Sequence, residues 1–311
     1  MSISLGFVID PLNSLTVEMD TSLLMVSEAN RRGHAVFYTT IDEMMLHGSQ
    51  LYCRWHRINY QSGRDLLTSE GDTFFEPANF VSAIVMRKDP PFDQRYLAVT
   101  YLLDYANTLV INSPRGLREA NEKLITYRWP QFIAESTVCN QLNTIKDIIF
   151  DSDKTWVIKP LWECGGEGVF KMDRHSYDEA KLQWATRDGM EYVIVQAFLS
   201  RVYEGDKRVF LIDGKPLAWV NRLPAQGEFR ANLHRGGQAA QYRPTDRELE
   251  IVHQVGADLK SLDVPLVGLD LVGEHLTEVN ITSPTCIPEM NALDQQRYET
   301  QLVDYLEQRI A

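Results

Sequence analysis

The chain has 311 residues, of which 44% are hydrophobic and 24% are charged, and 31 basic against 43 acidic residues give a formal net charge of −12. This length predicts two or three domains, and this composition is typical of a soluble globular protein. The acidic balance argues against general binding to nucleic acid or to anionic membranes, because both favour a basic face. It leaves room for an anionic small molecule held by a few local cations.

The cysteines and the start of the chain indicate where the protein resides. The cysteines are far apart and form no C-x-x-C pair, so neither a zinc ribbon nor a disulfide framework is predicted. Residues 1–11 carry no basic region and reach Asp10 after a short apolar run, which predicts a first strand rather than a signal peptide. No apolar run approaches the roughly 18 residues of a membrane span. We therefore expect a cytoplasmic protein with neither a membrane nor a nucleic-acid partner.

The first 120 residues alternate predicted strands with predicted helices. Apolar runs predict strands over residues 3–9, 35–39, 81–86 and 109–112. Asp20 as an N-cap and Gly33 just past a C-terminus predict a helix between them, and residues 96–106 form a second helical pattern. Strands separated by helices favour a parallel sheet, so residues 1–120 are predicted to form an N-terminal parallel α/β domain.

Two further units follow, which we place at residues 121–200 and 201–311. The first contains a strand that ends at a glycine-rich loop, then a helix near 177–187 and a strand over 192–199. In the second, Asp213-Gly214 and Gly273-Glu274 each separate two apolar-alternating runs, as hairpin turns do. Between these hairpins, residues 247–262 place apolar side chains at helical spacing. Both units are therefore predicted to be α+β.

The stretch KPLWECGGEGVFKM (159–172) has the form of a phosphate-binding loop. A predicted strand ends at Lys159, and three glycines follow within a few residues, where the backbone can approach an anion closely. Glu163 and Glu167 lie in the same loop, and a carboxylate about 4 Å from a phosphate charge costs roughly 4 kcal/mol at an effective dielectric near 20. Taken alone, the loop leaves open whether a nucleotide binds.

Asp270, Glu278 and Asn280 form a second candidate site. Glu278 and Asn280 are two residues apart on one predicted strand, so their side chains leave the same face, and Asp270 lies on the partner strand. Two carboxylates and an amide oxygen suit Mg²⁺ shared with phosphates better than zinc. A solvated hairpin face is the more common explanation of such residues alone. Lys123 and Lys159, leading into successive elements of the preceding unit, favour the metal and nucleotide site.

Six sequence blocks are distributed from end to end of the chain. They are MRKDPPFD (86–93), NEKL (121–124), VIKPL…GG (157–166), GDKRV (205–209), RANL..GG (230–237) and GLD…TEVNITSPTC (268–286). In this order they resemble the bacterial glutathione synthetases, members of the ATP-grasp superfamily, in which two α+β units hold ATP between antiparallel sheets. The first and last blocks are long enough to be specific. The resemblance implies an ATP-grasp fold preceded by the N-terminal parallel α/β (pre-ATP-grasp) domain.

The resemblance also implies that the protein binds ATP together with Mg²⁺, or with Mn²⁺ in its place. Residues of this chain can be matched to the nucleotide-binding and metal-binding positions of the family. The positions that match its nucleotide-binding residues are Lys123, Lys159, Gly165, Gly166, Gln196, Ala197, Phe198, Leu199 and Asp206. Residues 196–199 correspond to a hinge under adenine, and Asp206 to a contact with ribose. The positions that match the magnesium ligands are Asp270, Glu278 and Asn280.

The reaction implied by the resemblance joins γ-glutamylcysteine to glycine. ATP phosphorylates the C-terminal carboxylate of the dipeptide, the amine of glycine attacks the acyl phosphate, and phosphate leaves. Arg208, Arg222 and Arg230 match arginines near the acceptor site, where a guanidinium suits a carboxylate or an acyl phosphate. Residues 226–238 correspond to a mobile lid that excludes water. Assembly into a homo-oligomer is implied by the resemblance only.

Several residues depart from the pattern of the family close to the predicted substrates. Trp162 and Glu163 replace an Asp-Gly pair in the loop, and Pro288 stands where the family often has an arginine. If Glu163 and Glu167 do not point outward, they must pair with a cation such as Lys171 or Arg235, unless the loop has lost close phosphate contact. His234-Arg235 replaces small residues of the lid.

These departures leave three functions open. The first is glutathione synthesis with a divergent loop. The second is an ATP-dependent carboxylate–amine ligase of the same fold with another amine or peptide substrate. The third is a nucleotide-binding ATP-grasp protein without ligase turnover, as synapsins exemplify. The intact set of Asp270, Glu278, Asn280 and both lysines weighs against the third.

Overall fold

The computed structural model describes residues 2–63, 67–231, 233 and 236–311, and its N-terminal part is a mixed sheet with helices packed against it. The elements in chain order are β1 (Ser4–Val8), α1 (Thr21–Arg31), β2 (Ala35–Thr39), β3 (Met44–His47), β4 (Gln50–Asn59), β5 (Leu67–Pro77), β6 (Ala83–Met86), α2 (Gln94–Leu103), β7 (Leu109–Ile111) and α3 (Pro114–Glu119). The strand order is β3-β4-β2-β1-β6-β7, and β5 pairs with β4.

The prediction of a parallel sheet is only partly confirmed. Strands β2, β1, β6 and β7 are parallel, whereas β3, β4 and β5 are antiparallel additions at one side. Gly48-Ser49 alone connects β3 to β4, which is too short for the crossover that parallel pairing requires. The alternating burial of Leu51, Cys53 and Trp55 along β4 is the period-two signal of these added strands.

The predicted helix between Asp20 and Gly33 is confirmed as α1. The side chain of Asp20 accepts a hydrogen bond from the backbone nitrogen of Leu23 at 2.8 Å and caps the first turn. Gly33 follows the helix with φ +82°, a conformation that glycine adopts without strain. Local capping chemistry therefore sets both ends of this helix.

The central part of the chain is a separate antiparallel sheet. Its elements are β8 (Ser136–Cys139), α4 (Leu142–Phe150), β9 (Trp156–Pro160), β10 (Phe170–Met172), α5 (Glu179–Thr186) and β11 (Val193–Ala197), with strand order β10-β9-β11-β8. The predicted helix near 177–187 and the predicted strand over 192–199 are confirmed as α5 and β11. Buried side chains of these strands and helices, including Ile149, Trp156 and Leu182, form a hydrophobic core of their own.

The C-terminal part is a five-stranded antiparallel sheet with helices beside it. Its elements are β12 (Asp206–Ile212), β13 (Lys215–Leu223), β14 (Gln238–Ala240), α6 (Asp246–Leu259), β15 (Leu266–Val272), β16 (His275–Asn280), α7 (Ile287–Asp294) and α8 (Glu299–Ile310), with strand order β14-β13-β12-β15-β16. Both predicted hairpins are confirmed, because β12 pairs with β13 and β15 pairs with β16. The predicted helix over 247–262 corresponds to α6.

The N-terminal and C-terminal sheets pack against each other through shared apolar cores. Asn112, which follows β7, fixes their contact: its amide nitrogen donates to the carbonyls of Leu266 and Ile281 at 2.8 and 2.7 Å, and its amide oxygen accepts from Leu266 N at 2.9 Å. The central sheet has a hydrophobic core of its own and does not share these two cores. In the described ranges, no helix has the length and apolar character needed to cross a membrane.

Candidate active site

One face of the C-terminal sheet carries a row of charged side chains. Strand register places Asp270 on β15 directly opposite Glu278 on β16 and opposite Arg208 on β12, while Asp206 lies opposite Arg222 on β13. Side chains directly opposite one another in a sheet leave the same face, so these charges meet. The alternate positions of β15, such as Leu269, enter the hydrophobic core instead.

Asp270 is held by two arginines. Its Oδ1 and Oδ2 accept from Nε and Nη2 of Arg208, both at 2.7 Å, and Oδ2 also lies 3.0 Å from Nη2 of Arg222. The amide nitrogen of Asn280 lies 3.2 Å from the same Oδ2. Burial acts to raise the pKa of Asp270, but the charges of Arg208 and Arg222 outweigh it and hold the pKa below its usual range. The site thus contains an ionised carboxylate that orients two guanidinium groups.

Asp206 behaves differently from Asp270. Its carboxylate contacts Nη2 of Arg222, but burial and the nearby charge of Asp270 raise its pKa above the usual value. The two aspartates thus share Arg222 and compete for it. Removing that arginine would leave two acidic groups close together.

The two predicted nucleotide lysines contact different partners. Nζ of Lys159, at the end of β9, donates to Oε1 of Gln196 on β11 at 2.7 Å. Nζ of Lys123 donates to the backbone oxygen of Glu163 and lies 3.3 Å from Oε1 of Glu278. Burial lowers the pKa of Lys159. Lys123 therefore connects the loop to the carboxylate hairpin.

A cleft between the central and C-terminal sheets collects these groups. It encloses about 880 Å³, counting space open to solvent, which is in the range of ligand pockets. All nine residues predicted to bind the nucleotide line it: Lys123, Lys159, Gly165, Gly166, Gln196, Ala197, Phe198, Leu199 and Asp206. Arg230, Asp270 and Glu278 line the same cleft. Apolar residues that sequence reasoning missed, among them Val169 and Phe229, complete its wall.

A second cavity adjoins the first and shares Gly165 and Glu278 with it. The other predicted site residues, Arg208, Arg222 and Asn280, line this second cavity. Its wall also contains hydroxyl, thiol and acidic groups that sequence reasoning did not assign: Asp89, Glu122, Ser283, Thr285, Cys286 and Glu289. The structure therefore divides the predicted residues between two connected cavities. Arg230 lies in the first, with Nη1 3.5 Å from the backbone oxygen of Gly166.

Glu122 is a site residue that sequence reasoning missed. Its Oε1 accepts from the backbone nitrogens of Ile281 and Thr282 at 2.7 and 2.9 Å and from the Thr282 hydroxyl at 2.9 Å. Its backbone oxygen accepts from Val279 N at 2.9 Å. Burial, with a contribution from the charge of Glu278, raises its pKa. The only sequence signal was its position beside Lys123 in the NEKL block.

The loop departures have specific structural consequences. Gly165, Gly166 and Gly168 all have positive φ, at 61°, 74° and 66°, so the glycines are required by the backbone path. Trp162 is 50% exposed. Within the described part of the chain, neither the Glu163 nor the Glu167 carboxylate pairs with a basic side chain.

Lys171, offered above as a partner for these glutamates, contacts aromatic rings instead. The other suggested partner, Arg235, lies outside the described residues together with His234. Pro288 occupies the first turn of α7, where a missing backbone N–H costs little.

The proposed metal ligands have suitable chemistry, but they are engaged with cations of the protein. Among the residues the structure describes, no group of three His, Cys, Asp or Glu side chains is arranged to hold a metal ion. Asp270, Glu278 and Asn280 offer the hard oxygens that Mg²⁺ prefers. However, both oxygens of Asp270 contact arginine, and Glu278 contacts Lys123. A divalent cation would have to compete with these contacts.

Comparison of the sequence with known proteins covers the whole chain. Residues 3–118 match the family model described as prokaryotic glutathione synthetase, N-terminal domain, and residues 122–295 match the one described as prokaryotic glutathione synthetase, ATP-grasp domain. The chain is 35% identical to a glutathione synthetase of Yersinia pestis, over 99% of this chain and 98% of that protein. It is also 35% identical to a glutathione synthetase of Gloeobacter violaceus, over 96% and 95%.

Solved structures with a similar fold are ATP-grasp proteins and ligases of several specificities. A D-cycloserine synthetase superimposes with a TM-score of 0.65 at 15% identity, covering 99% of this chain and 100% of that one. D-alanyl-alanine synthetase A from Vibrio cholerae gives 0.60 at 13%, covering 99% and 98%. An ATP-grasp RimK domain protein from Sphaerobacter thermophilus gives 0.62 at 14%, covering 97% and 98%. The fold is thus ATP-grasp, and by its sequence the chain belongs to the prokaryotic glutathione synthetase family.

Proposed function

We propose that the protein joins γ-glutamylcysteine and glycine in an ATP-dependent reaction that forms glutathione through an acyl phosphate. The observation that carries the proposal is the pair of connected cavities sharing Gly165 and Glu278. The first has the lysines, backbone hinge and glycine loop that suit a nucleotide. The second has paired arginines and acidic groups that suit a substrate bearing both carboxylate and ammonium groups.

The first cavity supplies distinct groups to each part of ATP. Residues 196–199, at the end of β11, would present backbone groups and Phe198 to the adenine. Asp206, which lines the same cleft, would accept hydrogen bonds from the ribose hydroxyls. Lys123 and Lys159 provide compact positive charges for phosphate oxygens. Lys123 also fixes the Glu163 carbonyl, so it positions the glycine loop while it contacts the nucleotide.

Asp270, Glu278 and Asn280 would hold Mg²⁺, or Mn²⁺ in its place, which when bound neutralises phosphate charge and orients the transferred phosphoryl group. The contacts of Asp270 and Glu278 with cations of the protein would orient these side chains before the metal binds. Lys123 holds Glu278 at the wall of the nucleotide cleft, and Arg208 and Arg222 keep Asp270 ionised. Both carboxylates are therefore oriented by cations of the protein, and Asp270 is held in its ionised form.

In the second cavity, Arg208 and Arg222 bind the carboxylate of the dipeptide. A carboxylate oxygen attacks the γ-phosphorus, the bond to the β-phosphate oxygen breaks, and ADP leaves. The deprotonated amine of glycine then attacks the acyl carbon, phosphate leaves with the bonding pair, and one proton of the attacking nitrogen passes to the departing phosphate. The guanidinium groups stabilise the negative charge that develops at the acyl oxygen. Arg230 adds charge from the segment that covers the nucleotide and excludes water.

We further propose that the protein acts in the cytoplasm and assembles into a homo-oligomer. The first proposal is supported by four free cysteines, which suit a reducing compartment. The second rests on the family resemblance alone. The three domains are proposed to extend over residues 1–120, 121–200 and 201–311.

Incubation with Mg²⁺, ATP and γ-glutamylcysteine, with and without glycine, tests the proposed function. We expect phosphate release that depends on glycine, and a product with the mass of glutathione. Turnover with another amine or acid but not with glycine would assign a different ligase specificity. Nucleotide binding without phosphate release under any of these conditions would contradict ligase activity altogether.

A further inference from the structure

Lys171, beside the nucleotide cleft, has no role in the proposed reaction. Three aromatic rings surround the ammonium group of Lys171, and we call these rings, those of Phe198, Tyr203 and Phe229, the aromatic cage. Nζ of Lys171 lies 4.8 Å from the ring centre of Phe198, 5.1 Å from that of Phe229 and 5.7 Å from that of Tyr203. It also donates to the Tyr203 hydroxyl at 3.0 Å.

The rings also contact one another. The ring centres of Phe198 and Phe229 are 6.1 Å apart with planes at 84°, and those of Phe198 and Tyr203 are 5.9 Å apart at 70°. Both arrangements are edge-to-face, the geometry in which aromatic rings attract. A cation over several ring faces adds further attraction. The cage is therefore a single cluster rather than a set of unrelated contacts.

The members of the cage come from four different segments around the cleft. Lys171 lies on β10, directly after the glycine-rich loop, and Phe198 lies in the hinge after β11. Tyr203 lies in a short 3-10 helix before β12, and Phe229 lies in residues 224–231, which we call the cover segment. Phe198 and Phe229 line the nucleotide cleft, whereas Lys171 and Tyr203 are exposed and do not line it.

We infer that Lys171 is a positioning residue for the nucleotide, holding Phe229 and the cover segment against the hinge. The inference rests on the proposed function in that the cleft must bind a nucleotide. Preorganised walls bind more tightly because less conformational freedom is lost on binding. Lys171 also couples the strand after the glycine loop to the hinge, so its loss should loosen two walls of the cleft together.

The test measures nucleotide affinity in the full-length protein carrying Lys171→Met, Lys171→Arg or Phe229→Leu. Titration calorimetry with Mg²⁺-ADP gives a dissociation constant that requires no turnover, and steady-state kinetics separate the KM for ATP from kcat. We expect Lys171→Met and Phe229→Leu to weaken ADP binding and raise the KM for ATP by about threefold to tenfold. Lys171→Arg keeps the cation and should stay within about twofold of the parent protein.

Lys146→Met is the matched control. Lys146 lies in the same central part, and its Nζ is 5.8 Å from the ring centre of Tyr177, but neither residue lines the cleft. This variant removes a lysine–aromatic contact elsewhere and should leave nucleotide affinity unchanged. The double variant Lys171→Met/Phe229→Leu should lose less affinity than the product of the two single effects, because both act on one cluster.

Unchanged ADP affinity in Lys171→Met would overturn the inference. So would an equal loss in Lys171→Arg or in Lys146→Met, because the effect would then not depend on a cation in the cage. The parent protein distinguishes this result from failure of the proposed function. If it binds ADP but makes no glutathione, the reaction assignment fails while the role of Lys171 is still decided by the affinities.

Discussion

Arg208 on β12 and Asp270 on β15 form a buried ion pair with two hydrogen bonds, Nε to Oδ1 and Nη2 to Oδ2, each 2.7 Å long. Arg222 contacts the same Oδ2 at 3.0 Å and also contacts Asp206, so the Asp270 carboxylate touches two buried guanidinium groups and shares the second with Asp206. Because this carboxylate lines the first cavity and both arginines line the second, the ion pair joins the two halves of the site. Its geometry fixes the arginines before a substrate enters.

Replacing Asp270 with Asn should destabilise the fold strongly. The substitution preserves shape but leaves Arg208 and Arg222 buried without their shared counter-charge, and breaking a buried pair in this way costs about 3–5 kcal/mol. Urea unfolding measures the loss of unfolding free energy. Glu250→Gln is the control, because Glu250 pairs with Arg247 at the surface, with side chains 58% and 38% exposed. Equal stability of the two variants would contradict the importance of the buried pair.

Nucleotide affinity should fall as pH rises through the lowered pKa of Lys159. Burial lowers the pKa of this lysine in the free protein, and a bound phosphate favours its charged form, so binding takes up a proton. Affinity for ADP should therefore weaken with rising pH, by up to about tenfold per pH unit. Calorimetric titrations from neutral to alkaline pH measure this slope. Lys159→Met should bind weakly with a flatter profile, whereas the exposed Lys215→Met should keep the parent slope.

The lowered pKa of Lys159 should make the folded protein more stable as pH rises, whereas it makes nucleotide binding weaker. The charged form of Lys159 is less favourable in the folded than in the unfolded protein, so its charge destabilises the fold at neutral pH. This cost disappears as pH rises from the lowered folded pKa towards the ordinary lysine value, because the unfolded chain binds more protons in that window. Lys159→Met should remove this increment from the pH profile of the unfolding free energy.

Glu278→Gln should nearly abolish glutathione formation while the protein remains folded. The side chain is 27% exposed, so the substitution is tolerated structurally, but it removes a charge facing both cavities and the partner of Lys123. We expect kcat to fall at least about 100-fold. Glycine-dependent phosphate release measures it, and Glu274→Gln, at the exposed turn of the same hairpin, is the control. Activity near that of the parent would refute the proposed metal role of Glu278.

Glu122→Ala should destabilise the segment after β16. It would strip hydrogen-bond partners from the backbone nitrogens of Ile281 and Thr282, and each unsatisfied buried group costs about 1–3 kcal/mol. Thermal unfolding followed by circular dichroism should show a lower Tm. Thr282→Val is the matched comparison, because it removes only the hydroxyl donor to the same carboxylate. A larger loss in Thr282→Val than in Glu122→Ala would contradict this assignment.

Local chemistry in the sequence was sufficient for many elements of this protein. The hairpin turns at Asp213-Gly214 and Gly273-Glu274 and the cap at Asp20 follow from turn and capping preferences, which act over a few residues. The common face of Glu278 and Asn280 follows from the period of a strand. Sequence blocks that resemble those of the family identified the nucleotide residues, and those residues do line one cleft.

Sheet order and packing decided the rest, because they join residues that no local pattern connects. The antiparallel strands β3 to β5 extend one side of the parallel sheet, so the N-terminal sheet is mixed rather than parallel. Arg208 and Arg222 were matched to substrate arginines, yet their contacts with Asp270 depend on β12 lying between β13 and β15. Lys171 and Phe229, which are in contact in the aromatic cage, are 58 residues apart in the chain (229 − 171). Periodicity specifies which face of an element is apolar, whereas only the packed fold specifies which charges on different elements meet.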